Sequence, residues 1–422
     1  MRRIDEQNYC LVLGTEMSRD RAILGVARAT DDPVAIMIPG APINTHRFAD
    51  VVLSANPNNP VEALNAVTSY EQKTGIVPSA VIPLTEQSLS SGFAIAERYS
   101  LPYLSSKTME CVRNKSRMKE ELKAAGLPVP RFETFSSLEE LRHQIAVLGL
   151  PVVIKPQSLG GSEGVVLVRS ESEIAAAYSL LLRAVESYAS NYGLSESKLM
   201  VEQYIVAQQE LSVEVLNTPA GRYVLAVTDM WIGDEPYFVN TGHALPSIHS
   251  GNANIRAIAL AACEALGVDK GVSCVEMRLR ADGRLMLLEV AARPGGDNVM
   301  DMLERVLGVN VFELHALSHL NKGPWSFVPP APKGRAAVAF LKAPVGVVSD
   351  VRIPTPSELP EAVVGLRIWC QKGDVSAKCI DSNTRDGIVE FYWPNDPASE
   401  ILNAHMETAT QLSERCFQIH ET

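Results

Sequence analysis

Residues 274–296 read CVEMRLRADGRLMLLEVAARPGG, in which two apolar runs flank an Asp282-Gly283 pair. An Asp-Gly pair in this setting is typical of a two-residue β-hairpin turn, and in that register Glu276 faces Glu289 directly. Side chains alternate between the two faces of a strand, so the register predicts one acidic face and one apolar core face. The residues predicted on the core face are Val275, Met277, Leu279, Met286, Leu288 and Val290.

The opposed glutamates need a compensating charge. Two carboxylates about 5 Å apart repel each other by roughly 3 kcal/mol at an effective dielectric of 20. Oxygen ligands at this spacing suit Mg2+, which typically takes one or two carboxylates together with waters and nucleotide phosphates. The hairpin therefore predicts a metal site at Glu276 and Glu289, with a solvated acidic pair on an exposed face as the alternative.

Arg293 follows Glu289 by four residues and lies on the same face if the strand stays extended. The Pro-Gly-Gly sequence at 294–296 then ends the strand and leaves backbone free to approach a ligand. A guanidinium beside a metal site suits a transferring phosphoryl group or a developing oxyanion. Asp297 and Asn298 follow into the same cleft, where each is a candidate for substrate contact or for capping the next helix.

A glycine loop, QSLGGSEG at residues 157–164, follows an apolar strand predicted at 152–156. Its glycines allow backbone N–H groups to surround phosphate oxygens, and Lys155 supplies positive charge from the strand. Lys115, at the start of a helix predicted over 115–125, is a second cation. A plain hairpin is the alternative interpretation of this loop.

Residues 199–205, LMVEQYI, form an apolar strand that ends in polar residues. Such a sheet edge can bind adenine through its backbone, and Glu210 a few residues later is a candidate for binding ribose hydroxyls. The alternative is an edge strand with exposed acids.

The histidines divide into two groups. His243 and His249 lie in or just after a predicted loop at 240–247, before a helix predicted to begin near Asn252, and such histidines bind substrate or are structural. His315 and His319 have i,i+4 spacing, but alanine stands between them where the zinc-protease motif needs glutamate. We therefore assign this second pair to an ordinary helix.

The first hundred residues alternate apolar strands with helical stretches, which is typical of a parallel sheet with crossover helices. A Pro-rich run at 328–332 predicts a linker, and the short strands after it, broken by Gly and Pro, predict a separate β-rich domain. The N-terminal strands are predicted at 9–13, 34–38, 50–53 and 80–83, with a helix at 88–99.

The composition narrows the classes of function. A chain of 422 residues suggests two to four packed units. Its net charge of -11, without a Lys/Arg cluster, argues against nucleic acid as a partner. No apolar window is long enough to span a membrane. The first residues, MRRIDE, contain acidic residues where a signal peptide would have an apolar stretch, so we expect a cytoplasmic protein. Seven cysteines without a C-x-x-C pair predict reduced thiols.

The order Lys115, Lys155, glycine loop, Glu202, Glu210, Glu276, Glu289, Arg293 resembles the ATP-grasp superfamily over roughly residues 5–320. The motifs that carry the resemblance are NKS at 114–116, VIKP at 153–156, VEQYI at 201–205 and EVAARPGG at 289–296. Within the superfamily, GHALPS at 242–247, the Arg-Pro-Gly-Gly ending and the β-rich tail look most like the L-amino-acid ligases that form dipeptides.

The resemblance implies an ATP-grasp fold of mixed α/β and α+β class. Its expected parts are an N-terminal Rossmann-like parallel-sheet domain (1–113), an ATP-grasp subdomain A with the glycine loop and lid (114–200), a subdomain B with the metal and catalytic residues (201–322), and a β-rich C-terminal domain (323–422).

The resemblance also implies ATP and one or two Mg2+ ions, with Glu276 and Glu289 as metal ligands and Lys155, Glu289 and Arg293 as catalytic residues. Ala291 stands where the family often has an asparagine ligand, which leaves the number of ions open. The implied nucleotide-binding residues are Lys115, Lys155, Gly160, Gly161, Ser162, Gly164, Glu202, Gln203, Tyr204, Ile205 and Glu210. The implied substrate residues are His243, Arg293, Gly296 and Asp297.

The implied activity is that of an ADP-forming carboxylate-amine ligase, which joins amino acids or similar small molecules through an acyl phosphate. We also expect a homodimer. One rival is a carboxylase-type or purine-pathway enzyme of the same superfamily, although a biotin-carrier Met-Lys-Met sequence is absent. A second rival is a catalytically silent nucleotide-binding module, which Ala291 brings into consideration.

Overall fold

The computed structural model describes residues 8–14, 19–40, 48–192, 198–323, 326–395 and 403–420. The first six residues, on which the expected cytoplasmic location partly rests, lie outside these ranges. None of the described helices is both long and apolar enough to cross a membrane. All seven cysteines are free thiols, as predicted.

The N-terminal part is a parallel four-stranded sheet in the order β3-β2-β1-β4. The β1 and β2 strands are buried on both faces, which explains their continuous apolar runs. The predicted Rossmann-like sheet with crossover helices is therefore confirmed. Its elements are β1 (Tyr9–Leu13), α1 (Arg19–Ala29), β2 (Val34–Ile38), β3 (Val51–Ser54), α2 (Pro60–Thr74), β4 (Pro78–Pro83) and α3 (Ser88–Tyr99).

Two helices, α4 (Ser106–Val112) and α5 (Lys115–Ala124), lead out of this sheet. The Asn114 side chain accepts the backbone N–H of Arg117 at 2.9 Å, so it caps α5 and places Lys115 in the first turn. Lys119 lies one turn later on the same face of the helix. The start of α5 is therefore set by a local sequence signal.

A second, antiparallel sheet has the order β5-β8-β6-β7, and the glycine loop joins β6 to β7. The prediction of an edge strand at residues 199–205 is wrong, because β8 pairs with β5 on one side and β6 on the other. Only the residues beyond Gln203 leave the sheet. The elements are β5 (Phe132–Phe135), α6 (Leu138–Leu148), β6 (Val152–Lys155), β7 (Val166–Val168), α7 (Ile174–Tyr192) and β8 (Leu199–Gln203).

The largest sheet has eight strands in the order β13-β12-β9-β10-β11-β14-β18-β16. Helix α8 begins where it was predicted, and the Asn252 side chain caps it. The elements up to residue 319 are β9 (Gln209–Thr218), β10 (Gly221–Ile232), β11 (Asn240–Leu245), α8 (Ala253–Ala265), β12 (Gly271–Leu279), β13 (Leu285–Ala291), α9 (Val299–Leu307) and α10 (Val311–His319).

The predicted loop at 240–247 is mostly strand. In β11, His243 lies opposite Met230 of β10 and Val338 of β14. The interpretation as a loop was wrong because neighbouring strands on both sides supply the hydrogen bonds that hold a Gly- and Asn-containing segment extended.

The C-terminal strands continue the same eight-stranded sheet, because β14 pairs with β11. The predicted boundary at 322/323 is thus not a boundary between sheets, and the domain limits stay a prediction. A separate small sheet has the order β17-β15-β19. The elements are β14 (Arg335–Leu341), β15 (Gly346–Val351), β16 (Val363–Ile368), β17 (Val375–Ser376), β18 (Gly387–Trp393), α11 (Ala404–Cys416) and β19 (Phe417–Ile419).

The hairpin of β12 and β13 confirms the pairing of Glu276 with Glu289, but its turn differs from the prediction. The N–H of Gly283 donates to the carbonyl of Arg280, and the N–H of Arg280 donates to the carbonyl of Arg284, both at 2.9 Å. The loop therefore has three residues, and Gly283 takes the left-handed conformation, φ 79°, that such loops require.

A bulge between Glu276 and Met277 compensates for the extra loop residue. Below the bulge Leu285 and Leu287 face the core, and above it the predicted acidic pairing is restored. The prediction that Met286 and Leu288 face the core is wrong, since both are partly exposed. The predicted core positions Val275, Met277, Leu279 and Val290 are all buried.

Candidate functional site

The opposed acids differ in their surroundings. Glu289 forms an ion pair with Lys115 at 2.9 Å, and the Glu289 side chain is 20% exposed. Burial raises the pKa of Glu289, but the Lys115 charge outweighs this and the pKa lies below its usual value. Glu276 has no ion-pair partner among the described residues, and burial together with the Glu289 charge raises its pKa to about 8. One acid of the pair therefore lacks a direct ion pair among the described residues, although the charges of Arg293 and Lys115 act on it from farther away.

A chain of buried charges lies beside this pair. Lys155 Nζ is 2.5 Å from one carboxylate oxygen of Glu202, and Lys119 Nζ is 3.0 Å from the other. Burial alone would raise the pKa of Glu202, but the two lysines hold it at about 2. The Glu202 carboxylate is thus occupied by lysines, so any adenine contact here would come from backbone groups.

Lys119 was not predicted from the sequence. Its side chain is fully buried, burial lowers its pKa to about 8, and Nζ also donates to the carbonyl of Leu288 in the bulge at 3.1 Å. Its i,i+4 spacing from Lys115 was the available signal, because it places both amines on one face of α5.

Arg293 is held from the N-terminal part of the chain. Its Nε lies 3.4 Å from one oxygen of Glu86, a residue only 4% exposed, while Arg113 is 2.6 Å from the other oxygen. Arg113 also donates to the carbonyl of Ser158 at the start of the glycine loop, at 3.0 Å. Sequence reasoning missed Glu86 and Arg113, which carry no motif and are distant from Arg293 along the chain.

The glycine loop contains three left-handed residues, Gly161, Ser162 and Gly164, with φ of 65°, 62° and 70°. A Cβ at Gly164 would lie 2.9 Å from the Ala184 side chain, so glycine is needed there for packing against α7. The Ser162 hydroxyl donates to the carbonyl of Phe238 at 2.7 Å, which ties the loop to the large sheet.

Beyond β8, the predicted adenine and ribose residues meet an arginine from the hairpin. Arg278 Nε lies 2.6 Å from a Glu210 oxygen, and Arg278 donates to the carbonyl of Ile205 at 2.8 Å. Its guanidinium lies over the rings of Tyr204 and Phe238, at 5.3 and 5.2 Å. Arg278 was also missed, although the predicted register places it on the acidic face of the hairpin.

Asp297 forms a buried cluster with His243 and Arg385. Its carboxylate accepts two hydrogen bonds from the Arg385 guanidinium, at 3.0 and 2.8 Å, and lies 3.1 Å from His243 Nε2. Burial opposes ionisation, but Arg385 and His243 hold the pKa of Asp297 well below its usual range. Arg385 was not predicted, because nothing in its local sequence indicates this partner.

The prediction that Asp297 or Asn298 caps the next helix through its side chain is wrong. Asn298 occupies the N-cap position of α9 with φ 62° and makes no side-chain cap hydrogen bond. Its amide instead donates to Glu390 of β18 at 3.0 Å. Both side chains thus point to partners in the C-terminal part of the chain.

A cavity of about 520 Å³ brings some of these residues together. Glu276, Arg293 and Glu86 line it together with Gly160 and Gly161 of the glycine loop. Among the predicted site residues, those that line it are Gly160, Gly161, His243, Glu276, Arg293, Gly296 and Asp297. The others, which do not line it, are Lys115, Lys155, Ser162, Gly164, Glu202, Gln203, Tyr204, Ile205, Glu210 and Glu289.

The pair His315 and His319 lies in α10, as assigned from the sequence, outside this cavity. His315 Nδ1 accepts the backbone N–H of Val272 at 2.8 Å, so the proton on Nε2 faces the carbonyl of Pro83 at 2.9 Å. Burial lowers the pKa of His315 to about 4 from 6.5. The residue is a neutral component of the core.

This burial predicts a pH dependence of stability. The unfolded chain protonates His315 near pH 6.5 and the folded chain near pH 4, so the free energy of unfolding should fall between these values as the pH is lowered. One such group contributes up to about 1.4 kcal/mol per pH unit. Urea unfolding of the wild type and His315→Gln from pH 7.5 to 4.5 measures it. The wild type should lose more stability, and parallel curves would contradict the prediction.

Residues 148–301 match the ATP-grasp domain family. The alanine–anticapsin ligase of Bacillus subtilis is 24% identical over 234 residues, which are 52% of this chain and 49% of that protein. The D-alanine–D-alanine ligase of Xylella fastidiosa is 30% identical over 211 residues, 48% of this chain and 65% of that protein. The chain thus spans about half to two thirds of the length of these relatives.

A solved structure resembles the fold of nearly the whole chain. The crystal structure of L-amino acid ligase from Bacillus licheniformis superimposes with a TM-score of 0.77 over 99% of this chain and 100% of that one, at 20% identity. This likeness confirms the predicted mixed α/β fold, with its N-terminal parallel sheet and its large antiparallel sheet. The chain therefore contains an ATP-grasp domain, set in the fold that it shares with that ligase.

Proposed function

We propose that this chain is an ATP-dependent ligase that joins a small-molecule carboxylate to an amine and releases ADP and phosphate. The observation that carries the proposal is the cavity that Glu276 and Arg293 line together with Gly160 and Gly161 of the glycine loop. This arrangement combines a place for a metal-bound triphosphate with a guanidinium for developing negative charge. The expected homodimer and cytoplasmic location stay predictions.

The names of the relatives support amino acids or similar molecules as the substrate class. The two matched ligases join alanine to anticapsin and D-alanine to D-alanine, and the structural neighbour is an L-amino acid ligase. His243, Gly296 and Asp297 also line the cavity, and we assign them to substrate binding. The buried Asp297 carboxylate is already neutralised by Arg385, so it shapes this wall as part of an ion pair.

The residues present fit a divalent cation. Glu276 lacks an ion-pair partner among the described residues and faces Glu289, an arrangement that a cation would stabilise. Mg2+ held there by Glu276 and Glu289 would neutralise phosphate charge. Ala291 is buried opposite Cys274 and offers no ligand, so a second ion would need other donors.

The proposed reaction has two steps. An oxygen of the substrate carboxylate attacks the γ-phosphorus of ATP, the bond to the β,γ-bridging oxygen breaks, and an acyl phosphate and ADP form. The amine nitrogen then attacks the carbonyl carbon, phosphate leaves, and the nitrogen loses a proton to form the amide. Lys115 and Lys155 would offset phosphate charge, and Arg293 would stabilise the tetrahedral oxyanion. Catalysis is then mainly positioning and charge neutralisation, without a protein nucleophile.

The proposal predicts that pairs of amino acids stimulate ADP release and yield an amide. Phosphate release is measured with amino-acid pairs, with single amino acids and with bicarbonate, and mass spectrometry identifies the products. Stimulation that requires a pair, with a product lighter than the two substrates by one water, is the expected result. Stimulation by bicarbonate alone would favour the carboxylase alternative, and ATP binding without any stimulation would favour the silent module.

A further inference from the structure

A short capped turn at residues 381–385 of the C-terminal part contacts two different segments that line the cavity. The Asp381 carboxylate accepts the backbone N–H groups of Asn383 and Thr384, at 2.9 and 3.0 Å, and this fixes the turn locally. Ser382, Asn383 and Arg385 all line the cavity. The turn is therefore a preformed element with side chains directed at two different parts of the site.

At one end the turn holds the glycine loop. The backbone N–H of Ser382 donates to the carbonyl of Gly161 at 3.0 Å, and the Asn383 amide donates to the Glu163 carboxylate. A Cβ on Gly161 would be 3.4 Å from the Ser382 Cβ, so the two backbones approach closely. The position of the loop that we assign to phosphates thus depends on contact with residues more than two hundred positions away.

At the other end the turn holds the wall that follows Arg293. Arg385 is 7% exposed, and its planar guanidinium binds both oxygens of Asp297 while lying 3.6 Å from the centre of the Phe340 ring. Asp297 and Asn298 have φ of 55° and 62°, a conformation that costs energy for residues other than glycine. The ion pair to Arg385 therefore helps to hold this left-handed conformation, which Asp and Asn adopt more readily than other non-glycine residues.

We propose that the turn at 381–385 is a tether that couples the glycine loop to the substrate wall, with Asn383 and Arg385 as positioning residues. Ordering of the loop by nucleotide is then transmitted through the turn to Asp297 and to the segment that follows the Arg-Pro-Gly-Gly sequence. The two contacts have separate roles, since Asn383 binds Glu163 of the glycine loop and Arg385 binds Asp297 in the substrate wall. The inference rests on nucleotide binding at the glycine loop, which is one part of the proposed function.

The test uses the full chain and Mg2+ with a non-hydrolysable ATP analogue, without any amino acid. Hydrogen exchange is followed by mass spectrometry in peptides that cover residues 158–165 and 297–300. In the wild type, the analogue should slow exchange in both segments. In Arg385→Lys, which keeps the charge but loses the two-pronged contact, protection of 158–165 should persist while protection of 297–300 falls at least about 10-fold.

Asn383→Ala tests the contact between the turn and the glycine loop, and the exposed position of Asn383 allows the variant to fold. We expect several-fold weaker binding of the analogue, with reduced protection of both segments at equal occupancy. Arg352→Lys is the matched control, because Arg352 forms an exposed ion pair with Glu358 and does not line the cavity. Thermal midpoints of all variants, measured without ligand, identify any loss of folding.

Two results would overturn the tether while leaving the nucleotide site intact. One is a wild type in which the analogue protects 158–165 but leaves 297–300 unchanged. The other is a wild-type protection pattern in both Arg385→Lys and Asn383→Ala. If the analogue protects neither segment in the wild type, the nucleotide site itself is wrong and the tether fails with it. Absence of an amide product with any substrate pair would refute the proposed ligase reaction and would not alter these measurements.

Discussion

Replacing Arg293 with alanine should lower kcat at least about 100-fold while the affinity for ATP changes only a few-fold. The guanidinium lines the cavity beside Glu276, where we place developing negative charge, and it is held there by Glu86. Loss of an interaction made mainly in the transition state lowers kcat rather than nucleotide binding. Steady-state kinetics with the substrate pair found above, together with titration of an ATP analogue, measure the two quantities.

Arg284→Ala is the matched control for this experiment. Arg284 is 69% exposed at the hairpin loop and pairs with Asp282, so its removal should leave kcat within about twofold of the wild type. Glu86 keeps its contact with Arg113 in the Arg293 variant, which limits the loss of stability. Turnover by Arg293→Ala equal to that of the control would remove Arg293 from the active site.

Glu276→Gln should weaken the apparent affinity for Mg2+ by more than about 10-fold, yet leave the metal-free protein at least as stable as the wild type. The substitution removes one proposed metal ligand and, in the absence of metal, replaces an acid whose ionised form is disfavoured by burial and by the opposed Glu289 charge. Relief of like charges across a strand pair is worth up to about 1 kcal/mol. Magnesium titration of ATP turnover and urea unfolding in the presence of a chelator measure the two effects.

Glu289→Gln provides the contrast, because Glu289 is the ion-pair partner of the buried Lys115. This variant should lose Mg2+ affinity to a similar extent but should also lose stability, on the order of 1 kcal/mol or more, since it leaves a buried ammonium without its partner. Equal stability changes in the two variants would contradict the assigned charge distribution. Unchanged magnesium dependence in both would remove the metal site from this hairpin.

The pairing of Glu276 with Glu289 shows how much of the hairpin the sequence pattern could predict. The Asp-Gly signal gave a hairpin and an acidic face, but the predicted turn was one residue too short and the bulge was not foreseen. The two errors offset each other at Glu276 and Glu289, so this pairing was predicted correctly. They do not offset each other at Met286 and Leu288, which were wrongly predicted to face the core. Turn length and bulges depend on how a strand fits its neighbours, which a single segment does not contain.

The N-terminal parallel sheet was predictable because each of its strands is an apolar run between turn residues. The strand containing His243 was not, because its extended conformation depends on β10 and β14, which bond to it from both sides. In the same way, β8 was taken for an edge because the short strand β5 carries no strong pattern of its own.

Local patterns were sufficient to predict the N-terminal parallel sheet, the start of α5 at Lys115 and the facing glutamates of the hairpin, and the resemblance of the motifs to the ATP-grasp superfamily implied the rest of the fold. The features predicted from local patterns depend on residues close together in the chain, where backbone geometry links pattern to structure directly. The partners of the charges were a matter of three-dimensional packing: Lys119 with Glu202, Glu86 with Arg293, and Arg385 with Asp297. Buried charged groups pair with the opposite charges that lie near them in space. Residues this far apart along the chain come into contact only when the sheets have assembled.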